Sequence, residues 1–182
     1  MYNPTGNQEL AEVYEQAEYL KLKVWESIEI FQDKMELAGE ITAKDRLVDA
    51  EAVFDGKVLK IVVNDCVPRD VNFKKATSSL LRKYWRESVV RAIRKLPAPV
   101  SFEKAICIIK MFTPKNIEWD VDNRAFQMII NALRATQVVK GDSWDKLSLT
   151  LMGGVDKERP RTEIYVGKHP ENDIIFLLKG KA

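Results

Sequence analysis

Histidine and cysteine are scarce in this chain of 182 residues, which holds one histidine and two cysteines. No paired-cysteine zinc motif, glycine-rich phosphate loop or serine–histidine–aspartate cluster is present, which excludes several common signatures of zinc, nucleotide and hydrolase sites. Cys66 and Cys107 lie among apolar residues and are expected to be small buried side chains, not a disulfide framework. His169 stands beside Pro170 without a partner in sequence reach, so we expect no metal or general-base role for it.

Long apolar runs are also missing. No segment approaches the roughly 18–20 apolar residues of a membrane span, and the first residues lack the charged-then-apolar pattern of a secretion signal. With 46% hydrophobic and 31% charged residues, the composition is typical of a soluble globular protein. We therefore expect a cytoplasmic protein with no membrane partner and no nucleotide cofactor.

The net charge is only +2, but the charges are unevenly distributed. Residues 1–55 hold 13 acidic and five basic residues, whereas residues 56–115 hold 14 basic and four acidic ones. A basic segment beside an acidic one suits an enzyme of nucleic acids, which needs cations for phosphates and carboxylates for a metal ion. Solvated helix surfaces are the alternative interpretation of the same charge runs.

A single helical pattern occupies the first 38 residues. Apolar residues recur there at steps of three or four: Leu10, Val13, Ala17, Leu20, Val24, Ile28, Phe31 and Met35. This spacing predicts an amphipathic helix over about residues 7–38, ended by Gly39. We expect residues 1–55 to form an acidic helical arm and a linker. The near-heptad stripe could pair with another arm, or the arm's negative charge could lie over the basic segment.

Residues 56–182 are predicted to form one domain. Apolar and alternating runs indicate strands at 58–63, 101–112, 147–151 and 162–166, with a last apolar segment at 174–178. Helices are predicted at 74–96 and 123–135. The order of these elements indicates an α+β fold, in which a small mixed β-sheet is covered by two helices and preceded by the long N-terminal helix.

Two further local predictions concern turns and caps. Asp122 or Asn123 is a suitable N-cap for the helix at 123–135. Gly153 and Gly154 are expected to begin a turn, after which the strand at 162–166 returns as the partner of 147–151.

The most informative stretch is the acidic motif, Asp120-Val121-Asp122-Asn123. On an extended chain its two carboxylates would lie about 6–7 Å apart on one face, where a cation such as Mg²⁺ would relieve their repulsion. Asp142 follows after the next helix and could join them in a site for phosphodiester chemistry. Taken alone, the motif also fits helix capping or the metal–diphosphate site of a nucleotide-sugar transferase, although no nucleotide-binding βαβ series is present.

Three linked motifs resemble the RusA family of Holliday junction resolvases. They are the acidic motif, the helix end Ile129-Ile130-Asn131-Ala132-Leu133, and the turn Val138-Val139-Lys140-Gly141-Asp142-Ser143. Members of that family are small, phage-derived enzymes with an Asp-x-Asp-Asn motif, a helix closing in Asp-Ala-Leu and an Asp-Asp-(Ser/Ala)-Gln turn. The resemblance covers about residues 57–167 and leaves out the acidic arm.

This resemblance implies an endonuclease of DNA recombination and repair. In the family, a homodimer nicks opposing strands of a four-way junction with Mg²⁺ or Mn²⁺, so branched DNA is the expected partner. By position, Asp120, Asp122 and Asp142 match the metal-binding carboxylates. Arg124 is the expected substitute for a lysine that the family carries one turn into the helix.

The chain also departs from the family pattern. Asn131 replaces an aspartate of the helix end, and Gly141 replaces the first aspartate of the turn. A catalytically weakened RusA-like DNA-binding or assembly protein is therefore the alternative function.

Phosphate contacts are expected on the basic helix and the loop before it. The candidate side chains are Arg69, Lys74, Lys75, Arg82, Lys83 and Arg86. Tyr84 and Trp85 share a helix face with apolar residues and are expected in the core.

Overall fold

A computed structural model describes residues 4–42, 50–68, 73–116 and 124–170 of the chain. Within these ranges the chain forms three helices and five strands: α1 (Pro4–Leu37), β1 (Ala50–Phe54), β2 (Val58–Val63), α2 (Lys75–Arg94), β3 (Ala105–Thr113), α3 (Gln127–Ala135), β4 (Leu147–Val155) and β5 (Arg161–Lys168). The predicted α+β class is confirmed, with a mixed sheet that follows a long N-terminal helix. None of these helices is long and apolar enough to cross a membrane.

The chain divides into two compact units, which we call the helical unit and the sheet unit. The helical unit comprises Met1–Leu47 and Val71–Glu87, and the sheet unit comprises Val48–Asp70 and Ser88–Ala182. This division separates the chain at residues 47 and 48 and groups the first part of α2 with the arm, and the domain boundary at residues 55 and 56 stays a prediction.

In the helical unit, α1 ends where the sequence predicts. Gly39 adopts a φ of +75°, Glu40 N donates to Met35 O at 2.9 Å, and Gly39 N donates to Glu36 O at 3.0 Å. This pair of hydrogen bonds is the Schellman arrangement that ends many helices, and glycine is favoured there because the left-handed φ costs it little.

α1 lies beside the first part of α2, and both helices run in the same direction. Glu15 Oε1 accepts hydrogen bonds from Lys74 N at 2.7 Å and from Thr77 Oγ1 at 3.1 Å, at the start of α2. Three turns later, the rings of Trp25 and Tyr84 meet edge to face with centroids 5.4 Å apart. The Glu15 carboxylate thus binds one backbone N–H and one hydroxyl at the N-terminal end of α2, where the helix dipole favours negative charge.

The sheet unit is built on a five-stranded sheet in the order β1-β2-β5-β3-β4. β5 is antiparallel to both β2 and β3, β4 is parallel to β3, and β1 is antiparallel to β2. One face of the sheet is mostly apolar, and its side chains without exposed surface are Leu59, Ile61, Val63, Ala105, Cys107, Ile109, Met111, Thr162, Ile164 and Val166. Buried side chains of α3 and of α2 residues 88–94 complete this core.

Residues 50–54, expected in the linker, form the edge strand β1. Ala50 pairs with Val63 and Phe54 with Leu59. The turn between the strands is closed by Asp55 Oδ1, which accepts hydrogen bonds from Lys57 N at 2.8 Å and Val58 N at 2.7 Å. The linker prediction was wrong for these residues because a short, half-polar edge strand has little apolar pattern of its own.

The predicted turn at Gly153-Gly154 is also wrong, since both residues lie inside β4 and pair with β3. A Cβ at Gly154 would lie 2.9 Å from Phe112 Cδ1, so glycine lets the ring of the neighbouring strand lie close. The strand at 162–166, now β5, pairs with β2 and β3 instead of β4. The actual turn follows β4, where Asp156 Oδ1 accepts hydrogen bonds from Glu158 N and Arg159 N.

Candidate nucleic-acid interface

Asp120, Asp122 and Arg69 lie outside the described residues. Their positions therefore remain predictions. The acidic motif belongs to the connection between β3 and α3, and the described residues on each side of it define where that connection begins and ends.

Both described ends of this connection lie at one edge of the sheet. β3 ends at Thr113, and on the far side Arg124 Nη1 donates to Val67 O at 3.0 Å while Ala125 N donates to Pro68 O at 3.3 Å. β2 and β3 are both antiparallel to β5, so they run in the same direction and their carboxyl ends share that edge. Arg124 is thus held at the carboxyl edge by the segment that follows β2.

α3 begins later than predicted. Its first residue is Gln127, and Phe126 is the N-cap with helical backbone angles and no side-chain hydrogen bond. The prediction that Asp122 or Asn123 caps this helix is therefore wrong. Arg124 and Ala125 are instead bonded to the segment after β2, which delays the start of the helix. Capping of α3, the simplest structural explanation of the acidic motif, does not apply.

Asp142 lies beyond the opposite end of α3. Its Oδ2 accepts a hydrogen bond from Arg134 Nη1 at 3.0 Å, and both side chains are partly exposed. The chain then enters β4, whose first residue, Leu147, pairs with Ala105 at the start of β3. Nine-residue strands separate this edge from the carboxyl edge by about 26 Å.

The structure therefore does not bring Arg124 and Asp142 together. Among the described residues, no group of three or more His, Cys, Asp or Glu side chains is placed to hold a metal ion. Of the three carboxylates that the family resemblance assigns to a divalent ion, the structure describes Asp142, which is already bonded to a guanidinium group. A metal site at the carboxyl edge would rest on Asp120 and Asp122.

The predicted phosphate contacts on α2 and at the residue before it are all exposed, namely Lys74, Lys75, Arg82, Lys83 and Arg86. Within the helical unit, the acidic arm contacts the side chain of Lys83, whose Nζ lies 3.7 Å from Glu26 Oε1 and 5.7 Å from the centroid of the Trp25 ring. Tyr84 and Trp85 are buried, which confirms that they belong to the core.

A charged network on the other face of the sheet was not foreseen. Glu163, on the central strand β5, is buried, and its Oε1 accepts a hydrogen bond from Arg161 Nε at 2.8 Å. Lys60 Nζ lies 3.5 Å from the same oxygen, and Tyr165 Oη donates to Oε2. Arg161 also binds the carboxylate of Asp156 through Nη1. The alternation of Arg161, Glu163 and Tyr165 along a strand is the sequence signal that could have revealed this network.

The pKa directions in this network follow from burial and from the shared partners. Burial opposes ionisation of Glu163, but the hydrogen bonds from Tyr165 and Arg161 and the charge of Lys60 outweigh it and hold the pKa of this carboxyl below its ordinary value. Burial and the neighbouring Glu163 carboxylate raise the pKa of Tyr165. The network therefore favours an ionised Glu163 and a protonated Tyr165.

The same face carries stacked cations and an apolar cavity. Lys110 Nζ lies 4.6 Å and Arg161 Cζ 4.0 Å from the centroid of the Phe112 ring. A cavity of about 650 Å³ follows at the opposite edge, with Phe102, Ile108 and Tyr165 among its lining residues. Rings and cations on a sheet face are groups that can contact bases and phosphates.

No protein-family model matches the chain, and no curated protein matches it. Among solved structures, the periplasmic domain of MotB (residues 64–256) is similar at 12% identity and a TM-score of 0.34, covering 81% of this chain and 88% of that one. The periplasmic domain of Helicobacter pylori MotB (residues 78–256) has 13% identity and a TM-score of 0.36, covering 70% and 87%. Thiamine monophosphate kinase from Aquifex aeolicus has 15% identity and a TM-score of 0.29, covering 75% and 40%. Likenesses this weak carry no argument about function.

Proposed function

We propose that this chain is a metal-dependent endodeoxyribonuclease of the RusA type, which cleaves Holliday junctions or related branched DNA in the cytoplasm as a homodimer. The observation that carries the proposal is the position of the acidic motif in the chain. Its connection begins and ends at the carboxyl edge of β2 and β3, and α3 starts beyond it without a side-chain cap. Carboxyl edges of strands that run in the same direction are common ligand sites in open sheets.

At that edge, the chain's own residues would have separate roles in metal binding and phosphate binding. Asp120 and Asp122 would hold Mg²⁺ or Mn²⁺, which supplies a Lewis acid for phosphodiester hydrolysis. Arg124 would meet a phosphate oxygen, because its guanidinium is held two residues beyond Asp122 by the hydrogen bond to Val67 O. Arginine presents a fixed fork of donors, so it would orient a phosphate more strictly than the lysine that is usual in the family.

DNA binding would rely on the exposed cations of α2 together with Arg69. Lys74 and the four candidate side chains of α2 are exposed to solvent, as phosphate-binding side chains must be. Their contacts position DNA without reading its sequence, which suits an enzyme that recognises the branched shape.

A second candidate is favoured by one specific observation. The Asp142 carboxylate is bonded to Arg134 and lies past the far end of α3 from Arg124. If the third family carboxylate is lost to this ion pair, the chain would bind branched DNA and cut it slowly or not at all. This is the catalytically weakened DNA-binding or assembly protein.

Incubation with a synthetic four-way junction separates the two candidates. The full chain is mixed with the junction and with linear duplex of the same sequence, in Mg²⁺, Mn²⁺ or EDTA. The nuclease proposal expects paired nicks on opposing strands of the junction, in either metal and not in EDTA. Tight junction binding without nicks in both metals would contradict it and support the binding protein.

A further inference from the structure

The sheet has a second face, which we call the open face, and α3 and the end of α2 do not cover it because they pack against the apolar face. By strand register, the open face carries Lys60, Ile106, Ile108, Lys110, Phe112, Arg161, Glu163 and Tyr165. Apolar side chains on it are accessible, since Val58 exposes 36% and Met152 exposes 44% of its surface. An accessible face with several apolar and aromatic side chains is a candidate contact surface.

Cations follow the open face from the cavity to the carboxyl edge. In that order they are Lys57, Lys168, Lys60, Lys110 and Arg161. Two carboxylates lie among these cations, Glu163 and Asp156, and both are bonded to Arg161. Between Ile106 and Phe112, β3 alone spans about 20 Å. A small anion would need one cation, whereas a row of this length suits a chain that carries a negative charge on every unit.

The cavity at one end of this row has an apolar interior and a basic rim. Its apolar lining residues are Val58, Phe102, Ile106 and Ile108. The ionisable side chains of its lining are Lys57, Lys168 and Tyr165, so the described lining includes no carboxylate. Its volume of about 650 Å³ lies within the range of about 300–1,000 Å³ of small-molecule sites. The cavity therefore suits a flat apolar group that is attached to an anion.

Two aromatic rings of the cavity are held in place by their neighbours. Tyr165 Oη donates to Glu163 Oε2, and Lys60 Nζ lies 5.4 Å from the centroid of the Tyr165 ring. Phe102 packs edge to face against Phe54, with centroids 6.4 Å apart and an angle of 74° between the rings. Rings that are already ordered lose little conformational freedom when a ligand stacks on them. Bases of any sequence stack on such rings, because every base has a π-face.

We propose that the open face binds single-stranded DNA, with an unpaired base in the cavity beside Phe102 and Tyr165 and the backbone phosphates along the row of cations. The rings and the row together point to this occupant, because a nucleotide chain combines flat bases with one negative charge per unit. The choice of DNA rests on the proposed function. The binding itself needs no metal ion and no cleavage, and it uses neither the acidic motif nor the cations of α2.

Binding of a labelled oligothymidylate to the full chain in EDTA tests the proposal, with an abasic oligomer of equal length as the comparison. Both oligomers carry the same phosphate charge, so contacts with phosphates alone would bind them equally. We expect the wild type to bind oligothymidylate about tenfold more tightly, as one stacked base would provide. Phe102→Ala should lose most of this preference. The matched control Phe54→Ala should keep it, because Phe54 belongs to the same ring pair but does not line the cavity.

Equal binding of the two oligomers by the wild type, or an unchanged preference in Phe102→Ala, would overturn the proposal. Lysine acetylation of the wild type, read by mass spectrometry, covers the case in which Phe102→Ala unfolds. Oligothymidylate should reduce the acetylation of Lys57 and Lys110 and leave that of Lys140, an exposed lysine outside the strands, unchanged. Unchanged acetylation of Lys57 and Lys110 would overturn the proposal equally.

Failure of this inference can be told apart from failure of the proposed function. A chain that nicks the four-way junction in Mg²⁺ but binds both oligomers equally would contradict the base site alone. A chain that prefers oligothymidylate but does not nick the junction would contradict the nuclease alone.

Discussion

At the scale of single residues, the least expected feature is a charged carboxylate in the middle of the sheet. Glu163 is 6% exposed yet ionised, because Tyr165, Arg161 and Lys60 together offset the cost of its burial. Each partner comes from β5 itself or from the neighbouring β2, so the sheet register assembles the network. Without this carboxylate, Arg161 and Tyr165 would each lose a hydrogen-bond acceptor and Lys60 would lose an ion pair.

Glu163→Gln should therefore destabilise the protein. The substitution leaves Arg161 and Lys60 facing a neutral amide, and we expect the free energy of unfolding to fall by about 2–3 kcal/mol. Urea unfolding followed by tryptophan fluorescence measures it. Glu51→Gln is the matched control, since its pair with Arg159 is exposed on both sides and should be worth under about 1 kcal/mol. Equal effects of the two substitutions would contradict the network.

The unfolding free energy should also depend on pH because of Glu163. The pKa of Glu163 is lowered by folding from an ordinary 4.5, so its contribution is fully present above that value and is lost as the pH falls through the folded-state pKa. The pKa of Asp156 is lowered too, by the backbone N–H of Arg159 and by Arg161, and adds to the loss. We expect the unfolding free energy to decline below about pH 4.5, and to decline less steeply in Glu163→Gln. Parallel curves for the two proteins would refute this assignment.

At the scale of elements, the sequence predicts what depends on local pattern. α1 and its end at Gly39, the strand β2 and the basic helix α2 agree with their periodicity and breakers. The neighbours of β4 and β5 in the sheet do not follow from local pattern. β5 lies between β2 and β3, and its contacts with them join residues that are distant in sequence. The same holds for the Arg134–Asp142 ion pair, which depends on how the chain turns after α3.

Gly154 provides a test of the β3–β4 pairing. Its added methyl group in Gly154→Ala would meet the Phe112 ring, which is held between Lys110 and Arg161 and has little room to move. We expect a loss of about 1–2 kcal/mol in thermal or urea unfolding, as for other overpacked sites. Gly141→Ala, where the nearest atom is 3.6 Å away, serves as the control and should change stability by less than about 0.5 kcal/mol. An unchanged unfolding free energy in Gly154→Ala would contradict the pairing of β4 with β3.

At the scale of the whole molecule, the uneven charge distribution has a structural counterpart. The acidic arm lies along the first part of the basic helix α2, where Glu15 and Glu26 contact its start and Lys83. Five cations of α2 nevertheless stay exposed. The chain thus presents a basic surface of the kind that phosphate backbones require, although its net charge is near zero.

Binding to DNA should accordingly depend steeply on salt. Lys75→Ala with Arg82→Ala removes two phosphate contacts, so the slope of the logarithm of the binding constant against the logarithm of salt concentration should become shallower by about 2. Fluorescence anisotropy with a labelled four-way junction measures the slope. Lys140→Ala with Lys157→Ala, two exposed lysines of the sheet unit, should leave it unchanged. Identical slopes for all three proteins would contradict the proposal that α2 contacts DNA.

The acidic motif remains the feature on which the proposed function depends, and its two aspartates were recognisable from sequence although they lie outside the described residues. The most direct test is the rate of junction nicking in Mg²⁺ at saturating protein, for wild type, Asp122→Asn and the charge-loss control Glu103→Gln. We predict nicking by the wild type and the control, and a loss of at least 100-fold in Asp122→Asn with junction binding retained. Equal nicking rates in Asp122→Asn and the wild type would contradict the account.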